Sequence, residues 1–356
     1  MPERTINVTI ALPLADDLQD TIRKTHPRLK VTALTRAQRR VYRDGRPLWA
    51  GYPEPPRAED ESEEEARERL QPILRDTEVL LTNPIVPDNI VGRAPALKWL
   101  QLTSAGVDRL LDAPVVQSQV TVTTASGIHA VPISEYVIGA MLAFAKGLPR
   151  AIRAQQERVW RPYWPDELEE KTVGVLGVGA IGARVVELAS ALGMRVLALR
   201  RSAERRITGA AAGFPAADEM LPPSDLTYLL HESDYVVVAL PLTPESRGLI
   251  GEAQLRAMKP SAVIVNIGRG AIIDEQALVQ ALKDGTIAGA ALDVFQQEPL
   301  SGESELWGME NVILTPHISG GTPRYMQRAV RLFCDNLRRY LAGEPLRNVV
   351  DPARGY

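Results

Sequence analysis

Cysteine is nearly missing from this chain. Cys334 is the only one among 356 residues, so no intrachain disulfide can form, and a lone thiol fits a reducing compartment. Histidine is scarce too, with only His26, His129, His231 and His317 present. Neither sign of charge is in excess. The 41 Lys and Arg face 44 Asp and Glu, for a net charge of −3 and a pI near 6.0, which argues against a broad nucleic-acid or anionic-membrane surface. Long apolar runs are missing. The most apolar stretch, ISEYVIGAMLAFA at 133–145, contains Ser and Glu and is shorter than the roughly 20 residues of a membrane span. The opening residues MPERTINVTIALPLADD carry no basic segment ahead of an apolar one, so the expectation is no signal peptide and a cytoplasmic protein. Internal repeats and long low-complexity tracts are also absent.

What is present is ordinary globular composition, 45% hydrophobic and 24% charged, at a length that predicts two domains. In the first part, INVTIAL (6–12), LKVTAL (29–34), EVLLT (78–82) and LKWLQLTSAG (97–106) read as buried parallel strands. EDESEEEARERLQPIL (59–74) reads as a solvated helix, with Ser62 as its cap, Glu65 three residues on, and Glu63/Arg67 and Glu65/Arg69 at pairing distance along one face. The Pro- and Gly-rich segment 44–60 is a loop whose Trp49 and Tyr52 either cover a site or pin the loop. ISEYVIGAMLAFAKGL (133–148) predicts a helix apolar on nearly all sides and therefore buried.

A second series follows, with strands expected at TVGVLG, RVLALR, YVVVALP, AVIVNIG, GAALDV and VILTPH. Strands alternating with helices predict a parallel, doubly wound sheet. The chain closes on an amphipathic helix at 323–344 that stops at Gly343.

Within this series Gly177, Gly179 and Gly182 have the G-x-G-x-x-G spacing, between a strand and a helix and with a second strand beyond. In that setting the first glycine allows a tight turn, the second lets the backbone approach a pyrophosphate, and the third lets helix and strand pack closely. The helix N-terminus then points unpaired N–H groups at the phosphates. An acid about 20 residues further on would bind the ribose 2′-hydroxyl of NAD. This chain places Arg200, Arg201 and Ser202 there instead, with Glu204 past the position. Guanidinium groups attract a 2′-phosphate and bond it bidentately, so the substitution favours NADP(H), with NAD as the alternative.

Three late strands each end in a reactive group. AVIVNIGRG delivers Arg269, GAALDVFQQEP delivers Asp293 and then Glu298, and VILTPHISGG delivers His317. Ligands bind beyond the carboxyl ends of strands in such sheets. An Arg there would hold a carboxylate and polarise a neighbouring carbonyl, a His would pass a proton, and an acid would orient the His. Arg269 lies between Gly268 and Gly270, a spacing expected to expose it. His129, in SGIHA, is a weaker candidate and is set aside.

Taken together, GVLGVGAIG, ALPLTPESRGLI (239–250), VNIGRGAIIDEQALVQAL (265–282), ALDVFQQEPL (291–300), TPHISG (315–320), SAGVD (104–108) and SGIHAVPISEYVIGAML (126–142) resemble the D-isomer-specific 2-hydroxyacid dehydrogenases. The likeness is dense from about residue 78 onward. It implies two doubly wound α/β domains with a cleft between them: a discontinuous flavodoxin-like substrate domain at 1–127 and 318–356, and a Rossmann cofactor domain at 128–317. It implies Arg269, Glu298 and His317 as the catalytic set and Asp293 near the nicotinamide carboxamide. It also implies that the Ser104, Ala105 and Gly106 loop receives the substrate carboxylate alongside Arg269 and His317. Cofactor contacts would come from Gly177 to Gly182, including Ala180 and Ile181. Further contacts would come from Leu240 and Pro241, from Ile267 to Arg269, and from Ser319 and Gly320 beside His317. No metal is expected. The 133–164 region would form a homodimer arm, and Ile85, Trp160, Tyr163 and Met326 are candidates for the substrate wall. The implied reaction is hydride transfer between NADP(H) and a small 2-oxo or (R)-2-hydroxy acid such as glyoxylate or hydroxypyruvate. Glu298 stands where a formate dehydrogenase would have Gln. Two rival readings are a phosphoglycerate dehydrogenase and a cofactor-sensing, corepressor-like binding protein.

Overall fold

The computed structural model describes residues 4–46, 62–107 and 110–353. Trp49, Tyr52 and most of the 44–60 loop lie outside these residues. The chain divides into two compact units, Met1–Ile128 with Pro323–Tyr356, and His129–Thr322.

The first unit holds five parallel strands: β1 (Ile6–Ile10), β2 (Leu29–Ala33), β3 (Val79–Thr82), β4 (Trp99–Leu102) and β5 (Thr121–Thr123). Their order is β2-β1-β3-β4-β5, the doubly wound arrangement of flavodoxin-like sheets. β3 and β4 are buried along their whole length, as a parallel strand covered on both faces requires. The helix Glu63–Asp76 starts where Ser62 caps it. The Ser62 hydroxyl accepts from the Glu65 N–H while the Glu65 carboxylate accepts from the Ser62 N–H, and Arg67 reaches back to Glu63 at 3.3 Å. The helix Tyr325–Ala342 returns to cover this sheet. Val330, Phe333, Cys334 and Leu337 are buried with Ile10, Leu81 and Trp99, and each fully buried side chain of this size stabilises the unit by roughly 1.5–3 kcal/mol. Gly343 ends the helix in the left-handed conformation, at φ +71°.

The second unit holds β6 (Thr172–Leu176), β7 (Arg195–Leu199), β8 (Ile207–Thr208), β9 (Glu219–Leu221), β10 (Tyr235–Val238), β11 (Val263–Asn266), β12 (Gly289–Leu292) and β13 (Val312–Leu314). Their order is β13-β12-β11-β10-β6-β7-β9-β8. Every pair is parallel except β8 with β9. β6 lies between β10 and β7, so the sense of winding reverses at its carboxyl end. That is where such sheets bind dinucleotides.

Two expectations need correction. The second crossing between units falls at 322/323 rather than 317/318. The cause is local: the N–H groups of Ile318 and Ser319 donate to the Asp293 carboxylate, each at 2.9 Å, which ties this stretch to β12. The helix expected at 133–148 spans Ala130–Ala145 and is covered on one face only. Ile133, Val137, Ala140 and Met141 are buried, while Val131 is exposed. The next helix, Leu148–Glu157, follows after a 61° bend and buries no residue. Leu148, Ile152, Val159, Trp160 and Trp164 are all exposed, Trp164 at 99%. No single helix among the described residues is long and apolar enough to cross a membrane.

Candidate active site

The end of the candidate site expected to take the nucleotide is built from backbone. After β6 the chain turns at Gly177, whose φ of +99° suits glycine. A Cβ at Gly182 would lie 1.9 Å from the Gly177 carbonyl oxygen, so the helix Ala180–Ala191 reaches this turn only without one. Gly179 has nothing within 4 Å of its would-be Cβ. No side chain caps the helix, so its first N–H groups face this open space. A strand, a tight turn, an open glycine and an uncapped helix N-terminus together fit a dinucleotide pyrophosphate. Leu240 packs beside the turn, its Cδ2 3.0 Å from the would-be Cβ of Gly177. At the end of β7, Arg200, Arg201 and Ser202 are exposed, and the Arg200 guanidinium lies 5.8 Å from the Phe214 ring centroid.

The other end is built from side chains. His317 Nδ1 lies 2.9 Å from Glu298 Oε2, while Glu298 Oε1 accepts from the Phe295 N–H at 3.2 Å. A carboxylate only accepts, so the hydrogen is assigned to Nδ1. The His317 backbone is left-handed, with φ +53°, a conformation histidine adopts more readily than most residues.

Arg269 follows β11 and is half-buried rather than exposed. Its flanking glycines serve close packing. A Cβ on Gly270 would lie 1.9 Å from the Phe295 carbonyl carbon, and one on Gly268 would lie 2.7 Å from the Leu240 oxygen. Asn266, fully buried, locks this loop by accepting from the Gly268 N–H and donating to the Arg269 carbonyl. The three strand-end loops are therefore contiguous: Gly270 touches Phe295, Phe295 bonds Glu298, and Glu298 bonds His317.

Asp293 is fully buried. Its carboxylate accepts from the Thr315 hydroxyl at 2.6 Å and from the Ile318 and Ser319 N–H groups, and its carbonyl accepts from the His317 N–H at 2.9 Å. Thr315 in turn meets the Tyr136 hydroxyl at 2.9 Å. Burial pushes that hydroxyl up to about 12. His129 also reaches this turn: a Cβ on Gly320 would lie 3.0 Å from its ring. Asn266, Thr315 and Tyr136 lie within motifs that carry the family resemblance, but the sequence alone gives none of them a role.

The remaining sequence candidates belong to other segments of the chain. Ser104, Ala105 and Gly106 follow β4 in the first unit, where the Ser104 hydroxyl donates to the Gly106 carbonyl at 3.0 Å. Their assignment to a substrate carboxylate rests on the family likeness. Trp160 is 94% exposed. Tyr163 braces the helix turn by donating to the Lys146 carbonyl at 2.9 Å.

A glycine turn of the shape that suits a phosphate and an acid-oriented histidine on one sheet edge fit a dinucleotide-dependent oxidoreductase. Residues 138–319 match the model for "D-isomer specific 2-hydroxyacid dehydrogenase, NAD binding domain". The chain is 35% identical over 285 residues to a glyoxylate reductase of Aeropyrum pernix, covering 76% of this chain and 81% of that protein. It is 32% identical over 289 residues to a D-3-phosphoglycerate dehydrogenase of Methanocaldococcus jannaschii, covering 80% of this chain and 54% of that one. A solved D-isomer-specific 2-hydroxyacid dehydrogenase from Xanthobacter autotrophicus, in complex with NADPH and MES, aligns at a TM-score of 0.77. It is 30% identical, over 99% of this chain and all of that one. The chain belongs to the D-isomer-specific 2-hydroxyacid dehydrogenases.

Proposed function

We propose that this protein is an NADPH-preferring reductase of small 2-oxo acids, giving (R)-2-hydroxy acids. The observation that carries the reading is the 2.9 Å His317–Glu298 pair on the sheet edge that also holds the 177–182 turn. Gly177, Gly179 and Gly182 would seat the pyrophosphate, with Ala180 and Ile181 in the first helical turn. Arg200, Arg201 and Ser202 would hold the 2′-phosphate, and the loops at 240–241, 267–269 and 319–320 would line the nicotinamide side. When bound, the reduced nicotinamide supplies a hydride to the carbonyl carbon. His317, doubly protonated through its pairing with Glu298, gives its Nε2 proton to the carbonyl oxygen and keeps the Nδ1 hydrogen that Glu298 holds. Arg269 holds the substrate carboxylate and draws electron density from the carbonyl. The His129–Thr322 unit would be the cofactor domain and the other the substrate domain. The exposed apolar residues from Leu148 to Trp164 favour a homodimer through the 133–164 region. The lone cysteine favours a cytoplasmic location.

A steady-state screen of glyoxylate, hydroxypyruvate and larger 2-oxo acids against NADPH and NADH tests this reading. Turnover of a small 2-oxo acid with a higher kcat/KM for NADPH is expected, and no turnover of any 2-oxo acid overturns it. Likeness to the M. jannaschii enzyme favours phosphoglycerate oxidation as the second reading. Phosphoglycerate with NAD or NADP, run in the same screen, separates the two.

A further inference from the structure

Asp293, Thr315 and Tyr136 form a line of hydrogen bonds that ends in the His317 turn. Both Asp293 oxygens already face backbone N–H donors, Oδ1 that of Ile318 and Oδ2 that of Ser319, each at 2.9 Å. Oδ1 also accepts from the Thr315 hydroxyl at 2.6 Å. The Thr315 hydroxyl also lies 2.9 Å from the Tyr136 hydroxyl. The line thus runs from Tyr136 through Thr315 to Asp293, which receives the N–H groups on the far side of His317. The His317 N–H is itself held by the Asp293 carbonyl. Residue 317 is thus pinned on both sides while its φ sits at +53°, a conformation that persists only where the surroundings impose it.

We infer that Tyr136 and Thr315 are positioning residues for the reaction, holding His317 through Asp293 in the left-handed turn that aims its Nε2. The family likeness gives Asp293 to the nicotinamide carboxamide, whereas this network gives its oxygens to the histidine turn. The anchor also lies far away in sequence. Tyr136 stands on the helix Ala130–Ala145, 179 residues before Thr315, and that helix packs on the core of the unit through Val137 and Met141. The turn is therefore fastened to a rigid element rather than to another loop. The inference rests on the proposed role of His317, but its first readout does not need turnover.

With four histidines in the chain, ring-15N-labelled protein gives a small set of imidazole signals. His317 is assigned as the set missing in His317→Gln. In Thr315→Val the His317 signals are expected to shift or broaden, while those of His26 and His231 stay. Unmoved His317 signals overturn the inference. Kinetics with NADPH and glyoxylate give the second readout. Thr315→Val should lower kcat by about 100-fold, the scale set by misplacing a reacting group, with little change in the KM for NADPH. Thr315→Ser, which restores the hydroxyl, should recover most of that loss. Tyr136→Phe removes one hydrogen bond and should cost roughly three- to tenfold, with no further loss in the Thr315→Val background. Independent, multiplying losses overturn the line from Tyr136 through Thr315. If Thr315→Val does not fold, Tyr136→Phe carries both readouts. If the wild-type protein reduces no 2-oxo acid, the proposed activity fails while the imidazole signals still judge the network.

Discussion

The two ends of the proposed dinucleotide edge are built on opposite principles. At the nucleotide end the helix N-terminus is uncapped and Arg200, Arg201 and Ser202 stand in water. At the reaction end Asp293 is fully buried, each oxygen is matched to a donor, and His317 and Glu298 face one another. A multiply charged ligand is captured by field and dipole, which reach through solvent and tolerate imprecise aim. A proton must be delivered along one direction, which needs a ring fixed by its neighbours. The same sheet edge therefore carries a soft site and a stiff one.

That contrast predicts unequal costs when each end is broken. The largest effect belongs to the stiff end. His317→Gln should lower kcat by about 10²–10⁴-fold, the usual share of a general acid, while fluorescence titration finds NADPH binding nearly intact. Near-normal turnover would remove His317 from the chemistry. Arg200→Asp with Arg201→Ala should act on the soft end alone, reversing the ratio of kcat/KM for NADPH over NADH by about tenfold or more, since each charge-assisted bond is worth roughly 1.5–3 kcal/mol. An unchanged ratio would separate these arginines from the 2′-phosphate. The smallest effect is expected from salt: raising it should raise the KM for NADPH more than that for NADH and leave kcat nearly alone. Equal responses of the two cofactors would dissolve the contrast.

Much of the fold was legible because strand runs and glycine spacing are local signals. All six strands expected in the second series form, from β6 at Thr172 to β13 at Leu314. The Ser62 cap was readable from two residues three apart. Three features were not legible, each for a spatial reason. The glycines around Arg269 suggest exposure when read alone, whereas they exist because Phe295 and Leu240 press against them from other loops. The apolar helix Ala130–Ala145 suggests complete burial, but composition does not say whether neighbours in the same chain cover every face. The Tyr136–Thr315 contact joins positions too far apart for any periodicity to link.

The left-handed backbone at His317 also decides which reagents can interrogate it. Alanine or a β-branched residue there would alter shape and chemistry together, because L side chains with φ near +53° are disfavoured. Asparagine accepts that backbone about as well as histidine does and lacks the imidazole. A His317→Asn protein therefore separates the contribution of the ring from that of the bend beneath it.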